Sequence, residues 1–335
     1  MALEPKPYAQ VLLELGRANA SVFALDVDLK SGCALFAAEF PKRHVELGIA
    51  EQNAISVAAG LATAGMIPFV HVMAPFGTMR SFEQIRTDVG YPRRNVKIVA
   101  SFGGLAGGPW HTTHHAIEDF ALMRVIPGMT VIAPADGIEM EKAVHAAARH
   151  DGPVYIRLPQ KQSPLVCETA KPRAGFEPAG GWPAFELGKA VTLRTGNDVT
   201  LIATGSMVRE ALDAAAALAG KGVEARVLSA HTIKPLDVEA VQRAACETRG
   251  IVAAEEHSVF GGLGSAVAEV LAENLAKASE PSQGCRGLRR VGLQDTFCEV
   301  IGSAPELRAR YGLTAAGIAA KAMDLIGAAK GVRLP

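Results

Sequence analysis

Short apolar runs alternate along this chain with longer stretches in which apolar positions recur every three or four residues. Ser21–Asp26, Ile67–Val72, Val96–Ala100, Thr130–Ala133 and Val154–Leu158 have the length and β-branched content of strands, while Ala50–Ala64, Ser81–Val89, Ala116–Val125 and Ile138–Arg149 carry the helical period. Strand and helix taking turns predicts a parallel sheet covered on both faces, the doubly wound α/β class. The rhythm stops after residue 160. Pro164, Pro172, Pro178, Pro183 and the Gly180-Gly181 pair punctuate 161–186, which reads as a linker. It resumes with strands Val199–Ala203, Ala225–Ser229, Ile251–Glu255 and Leu288–Val291, helices Val208–Ala219, Val238–Cys246 and Ser265–Leu275, and a helical tail. Two α/β domains are expected, 1–160 and a smaller 187–335.

The length of 335 residues fits two cores better than one. With 34 Lys+Arg against 34 Asp+Glu there is no basic field for nucleic acid or an anionic membrane surface. Hydrophobic residues make up 49% and aromatics only 5%, so the cores are aliphatic and an aromatic beside a strand end carries information. Five scattered cysteines, with no C-x-x-C pair, resemble neither a disulfide framework nor a zinc ribbon. No run approaches the roughly 20 apolar residues of a membrane span, and residues 1–8 hold no apolar signal core, so a soluble, cytoplasmic protein is expected.

Three segments carry candidate chemistry. Glu51 opens the helix after Gly48-Ile49-Ala50 and shares a stripe with Ile55 and Ala58, an unusual place for a carboxylate. Burial makes a carboxyl harder to ionise and turns it into a proton carrier, whereas a first-turn acid complementing the helix dipole accounts for the same residue blandly. Ala54, Ala58 and Ala62 leave room for another helix to approach. The second segment, Ala74 to Arg86, follows the strand holding His71, and its Phe76 and Phe82 are candidates either to stack on a planar ligand or to fill the core.

The third segment is the glycine-rich loop Gly103 to His115, with His111, His114 and His115 at the C-terminal end of a strand, where open α/β sheets place ligands. Proton transfer to a substrate is one reading, and metal ligation by the three histidines with Glu118 is a weaker one. No G-x-G-x-x-G follows the first strand and no P-loop occurs. Gly261-Gly262-Leu263-Gly264 precedes a helix, where an anion site and tight packing explain it equally well.

Taken together, Gly48-Ile-Ala-Glu51-Gln-Asn53, Thr113-His114 with Glu118-Asp119, Pro134-Ala135-Asp136, Thr232-Ile-Lys-Pro-Leu-Asp237 and Glu255-Glu-His257 resemble the C-terminal half of the thiamine-diphosphate-dependent transketolase family over nearly the whole chain. The resemblance implies a pyrimidine-binding domain followed by a transketolase C-terminal domain. It implies that Glu51 hydrogen-bonds the cofactor's aminopyrimidine and drives its activation. It also implies that Phe76 and Phe82, with Met79 between them, flank that ring. His114 then contacts the sugar near the scissile bond, with His111 and His71 as further substrate contacts, and Arg157 holds the substrate's terminal anion.

Trp110-His111 stands where many transketolases have an acidic residue that reads substrate hydroxyls, so a donor with a different skeleton or terminal group is expected. The family's G-D-G…N motif for Mg²⁺ and diphosphate is absent. The resemblance therefore implies a partner subunit that supplies the Mg²⁺ and diphosphate site, in an α2β2 assembly, with sugar or sugar-phosphate substrates. The expected activity is ketol transfer. The alternatives are the β subunit of a 2-oxo acid dehydrogenase decarboxylating component, a non-catalytic regulatory subunit of the same fold and, distantly, a metallohydrolase. Glu256 and His257 are expected to finish a strand rather than touch a ligand.

Overall fold

Tyr8–Ala18 (α1) follows Pro7 and buries Tyr8, Val11, Leu12 and Leu15, one stripe at helical spacing. The computed structural model to which it belongs describes residues 5–29, 31–160, 165–166, 185–275 and 287–331. Most of the expected linker, 161–186, lies outside the described residues. Of the part that is described, Val166 donates its N–H to Asp136 Oδ2, and Phe185 stacks on His231.

The first sheet takes β1 (Val22–Asp26), β2 (His44–Glu46), β3 (Ile67–Met73), β4 (Lys97–Ser101), β5 (Thr130–Ile132) and β6 (Val154–Arg157). These strands pair parallel in the order β5-β6-β4-β3-β1-β2. Alternate residues point to opposite faces. Leu25, Val70, Val72, Ile98, Ala100 and Tyr155 meet α3 (Glu51–Thr63) and α5 (Asp119–Val125) on one face. Val22, Ala24, Phe69, Val99 and Ile156 meet α1, α2 (Ala34–Glu39) and α6 (Gly137–Arg149) on the other. This is the doubly wound arrangement that the alternation of elements predicts.

The second sheet has the order β12-β11-β8-β9-β7, built from Leu288–Leu293, Ile251–Ser258, Val199–Ala203, Ala225–Ser229 and Val191–Arg194. Only β7 runs antiparallel within it. Met207–Ala219 and Ala315–Gly331 cover one face, and Val238–Glu247 with Leu263–Leu275 cover the other.

The two sheets are not independent. β10 (Thr232–Lys234), flanked in sequence by strands and helices of the second layer, adds antiparallel to β5 at the edge of the first sheet, with Thr232 opposite Ile132 and Lys234 opposite Val131. Backbone bonds from Ala133 N to His231 O, Gly205 N to Ala133 O and Ser258 N to Ile117 O join the halves further. A three-residue strand has too little pattern to be read from sequence, and its pairing is set by these long-range contacts.

Candidate active site

Three neighbouring pieces of the C-terminal edge of the first sheet make the site. The first is the entry to α3. Asp26, at the end of β1, accepts N–H bonds from Val27 and Leu29, and Glu46, at the end of β2, accepts them from Asp28 and Gly48. Together with His44 these two acids have ligand atoms within metal-binding distance of one another. Their hydrogen bonds give them another task, holding the strand ends that lead into the helix. Gly48 turns the chain at φ +65°, and Glu51 follows as the first helical residue, with only 3% of its surface exposed. A carboxylate at a helix N-terminus meets the positive end of the dipole, so the bland explanation for Glu51 holds as far as it goes.

The second piece is residues 76–90. The expected helix Ser81–Val89 begins earlier and is wound partly as π-helix, over Phe76–Arg80 and Ile85–Gly90, with one short α-turn between them. Such π turns re-aim side chains and recur at functional sites. Gly77 is needed here, because a Cβ would collide with a Val72 methyl. The winding sends Arg80 to Glu51, with Nη1 2.8 Å from Oε2, and sets its guanidinium 4.4 Å from the centre of the Phe76 ring.

The third piece is the histidine loop. An antiparallel bridge between Gly104 and Ala116 closes it, and Phe102 and His111 adopt positive φ, a conformation costly for side chains other than glycine. The loop lies on the second layer. Leu105 N donates to Glu256 Oε1, Thr112 Oγ1 donates to Cys298 O, and a Cβ on Gly108 would strike Gly302 O. Glu256 Oε2 also accepts from Ser206 Oγ and Arg308 Nη1, so Glu256 is a buried junction as well as part of β11.

From these pieces a continuous line of contacts emerges. Glu51 pairs with Arg80, Arg80 covers Phe76, and Phe76 meets the His114 ring edge-to-face at 5.1 Å. His114 then tilts against Trp110 at 5.4 Å, and Trp110 packs edge-on against Phe102 at 5.2 Å. Thr113 Oγ1 sits 3.2 Å from Trp110 O, to which its hydroxyl donates, and 2.9 Å from His114 Nδ1. A hydroxyl has one proton, so where Thr113 donates it to Trp110 O its oxygen accepts from Nδ1–H. That selects the Nδ1 tautomer and leaves His114 Nε2 as a proton acceptor.

Of the residues singled out in the sequence, Glu51, Phe76 and His114 are brought together. Met79 stands beside Arg80 on the same turn and is 40% exposed, and Ile49, just before Glu51, is 74% exposed. Phe82 is partly buried and packs on the first-layer core. His71 is buried, with Nε2 2.8 Å from Ser101 Oγ and its ring against Tyr8. His71 is thus an interior group in this chain.

Arg157 also differs from its expected place. It is buried, its Nε and Nη2 bond the Asp119 carboxylate, and its other described partners are Glu256 O and Ala116 O. Its N–H groups are largely committed, and Asp119 balances its charge, so this geometry makes it a joint between the two layers rather than an open anion holder.

The weaker, metal reading of the loop gains no support from the geometry. Among the described residues, the atoms of His111, His114, His115 and Glu118 do not converge as ligands, and the rings of His111 and His115 are 6.5 Å apart. His115 is buried, which together with the nearby His111 pushes its pKa down and keeps it neutral. The glycines at 261–264 are equally settled. Glu255 accepts from Leu263 N and Gly264 N at the start of Leu263–Leu275, so the chain itself supplies the anion at that helix end.

Sequence reasoning gave Arg80 no role, read Trp110 only as a replacement for an acidic residue, and assigned neither Asp119 nor Glu256 to the site. Two signals were available. Arg80 lies four residues after Phe76, close to one turn away, and Glu255-Glu256 stand inside an otherwise apolar strand.

A buried carboxylate at a helix start, an aromatic face beside it and exposed apolar flanks fit one end of a flat, amino-bearing ring. Among the described residues, none of the contacts to Glu51 or Phe76 forms a cradle for a diphosphate. Glu14, Glu141 and His145, the other group of potential ligands among the described residues, belong to a set paired with Lys6.

Comparison with known proteins agrees. Residues 6–164 match the transketolase pyrimidine-binding domain and residues 188–318 the transketolase C-terminal domain. A 6-deoxy-6-sulfo-D-fructose transketolase subunit from Clostridium sp. (strain MSTE9) is 42% identical over 320 residues, covering 95% of this chain and 92% of that protein. An apulose-4-phosphate transketolase subunit from Phocaeicola vulgatus is 40% identical over 323 residues, 96% of each chain. A split-gene transketolase, solved as an inactive β4 tetramer, superposes with a TM-score of 0.80 at 41% identity over 96% of both chains. No described helix is long and apolar enough to cross a membrane. On its fold and these relatives, the chain belongs to the transketolase family and carries its pyrimidine-binding and C-terminal domains.

Proposed function

We propose that this chain is the pyrimidine-binding catalytic subunit of a two-subunit transketolase, moving a two-carbon ketol unit from a ketose donor to an aldose phosphate acceptor. The observation that carries this reading is the line from buried Glu51 through Arg80 and Phe76 to His114. Thiamine diphosphate, when bound, supplies the nucleophilic carbon and the electron sink for carbon–carbon cleavage. Glu51 would hold its pyrimidine end by sharing a proton through a carboxylate oxygen, and Phe76 would pack on the ring. His114 Nε2, oriented by Thr113, takes or returns the proton of a substrate hydroxyl. Trp110, 49% exposed, forms a wall beside it that favours the C–H face of a donor over charged groups.

The Mg²⁺ and diphosphate ligands are assigned to a partner subunit carrying the complementary domain, in an α2β2 assembly. The relatives described as transketolase subunits support that division of labour.

The test is reconstitution with a candidate partner, followed by assays for ketol transfer from xylulose 5-phosphate and for 2-oxo acid decarboxylation. Transfer that needs Mg²⁺ and falls at least roughly 100-fold in Glu51→Gln is expected. Decarboxylation without transfer would assign the chain to the 2-oxo acid dehydrogenase class. Turnover unaffected by Glu51→Gln would sink the mechanism.

A further inference from the structure

Arg80 makes two contacts at once. Its Nη1 lies 2.8 Å from Glu51 Oε2, and its guanidinium carbon stands 4.4 Å from the centre of the Phe76 ring. These are the two side chains to which the proposed function assigns the cofactor's pyrimidine, one for a hydrogen bond and one for a flat face. A guanidinium is itself flat and delocalised, with N–H donors along its edge. It therefore satisfies Glu51 and Phe76 with the kinds of contact that an amino-substituted aromatic ring offers.

We infer that Arg80 is an internal stand-in for the pyrimidine ring, and that it has to leave Glu51 and Phe76 before the ring is taken up. This rests on the reading of Glu51 and Phe76 as pyrimidine contacts. Two features suit a side chain that comes and goes. Its side chain is 46% exposed, so the head group reaches water without unpacking a core, and Arg80 is the last residue of a π turn, next to the break at Ser81. Among the described residues it has no other ion pair or side-chain hydrogen bond.

The stand-in also has a use before loading. Glu51 is 4% exposed on its side-chain atoms, and an unpartnered carboxylate there would be costly, so Arg80 balances its charge. Cofactor uptake then competes with an internal ligand, and apparent affinity is lowered by the fraction of molecules in which Arg80 is seated.

The experiment is calorimetric titration of thiamine diphosphate with Mg²⁺ into the complex of this chain and its diphosphate-site subunit, as wild type, Arg80→Met and Arg80→Lys. Methionine keeps a long apolar stem and removes the charge and donors, while lysine keeps the charge and loses the flat fork. Arg80→Met is expected to lower Kd by roughly three- to tenfold, with Arg80→Lys between it and wild type. An unchanged Kd in Arg80→Met overturns the stand-in, and a weaker one overturns it by making Arg80 a builder of the site. Binding by none of the three proteins would overturn the pyrimidine reading of Glu51 and the stand-in with it. Binding by wild type that Arg80→Met leaves unaltered removes the stand-in alone.

Discussion

Replacing Glu256 by alanine removes the carboxylate that fastens the histidine loop to the second layer. Three donors lose their acceptor: Leu105 N at 2.7 Å, Ser206 Oγ at 2.7 Å and Arg308 Nη1 at 2.9 Å. Leu105 is fully buried, and an orphaned buried N–H costs about 1–3 kcal/mol. Breaking a buried ion pair from one side costs about 3–5 kcal/mol, and Arg308, at 15% exposure, recovers part of that from water. The losses share one side chain and overlap, so a total of about 3–5 kcal/mol is expected.

Urea unfolding of wild type, Glu256→Ala, Glu256→Gln and Arg308→Ala measures this. Glutamine retains an oxygen for Leu105 and is expected to cost about 2–3 kcal/mol, most of it the unpaired arginine. The double-mutant cycle of Glu256→Ala with Arg308→Ala should show coupling of about 1–3 kcal/mol. A Glu256→Ala variant within about 1 kcal/mol of wild type, or an additive cycle, would refute the idea that this junction holds the loop.

Other outcomes follow from single contacts. Gly262→Ala drives a Cβ into Glu255 Oε2 and should lower stability by about 1–3 kcal/mol in thermal unfolding, while Gly222→Ala, where no neighbour lies within 4 Å but φ is +74°, should show backbone strain alone. Arg157→Lys loses the two-pronged grip on Asp119 and should cost about 2 kcal/mol, read by the same melts. Burial pushes the Glu139 carboxyl up to about 8 from its ordinary 4.5. A raised folded value means that its contribution is full below about pH 4.5 and lost as pH rises through about 8, so stability should fall across that window. Glu139→Gln should remove a fall in stability of on the order of 5 kcal/mol across that window, and an unaltered stability–pH curve in that variant would contradict the assignment.

Much of this architecture is readable from local pattern because long elements carry their own signal. The strands Val199–Ala203 and Ala225–Ser229 and the helix Glu51–Thr63 fall within a residue of where periodicity puts them. Elements set by distant partners are harder. Tyr8–Ala18 hides behind two prolines, and β10 is only three residues long and belongs to the sheet of the other half. The helix expected at Ser81–Val89 starts instead at residue 76 because π winding shifts the side-chain period, which 3.6-residue counting does not register.

The site divides in the same way. Glu51 and His114 stand out as residue types in unusual places, and the resemblance to transketolases supplies their roles. Arg157 misleads for a physical reason. Its neighbour Asp119 is 38 positions away, and only the fold reveals that its charge is already balanced. Arg80 escapes notice for the opposite reason, since one arginine among 34 basic residues has no distinguishing mark until its contacts are known.

The strand β10 also sets a schedule for synthesis. When Arg157 leaves the ribosome the first sheet has its six parallel strands, yet the outer edge of β5 stays unpaired until Lys234 emerges, 77 residues later. At bacterial-like elongation rates of about 5–20 residues per second, that delay is roughly 4–15 s. Through that interval the nascent chain presents Thr130–Ile132, flanked by Met129 and Ala133, as an open edge able to pair with a neighbouring chain. That interval, before β10 covers the edge, is when β5 is open to pairing with another chain.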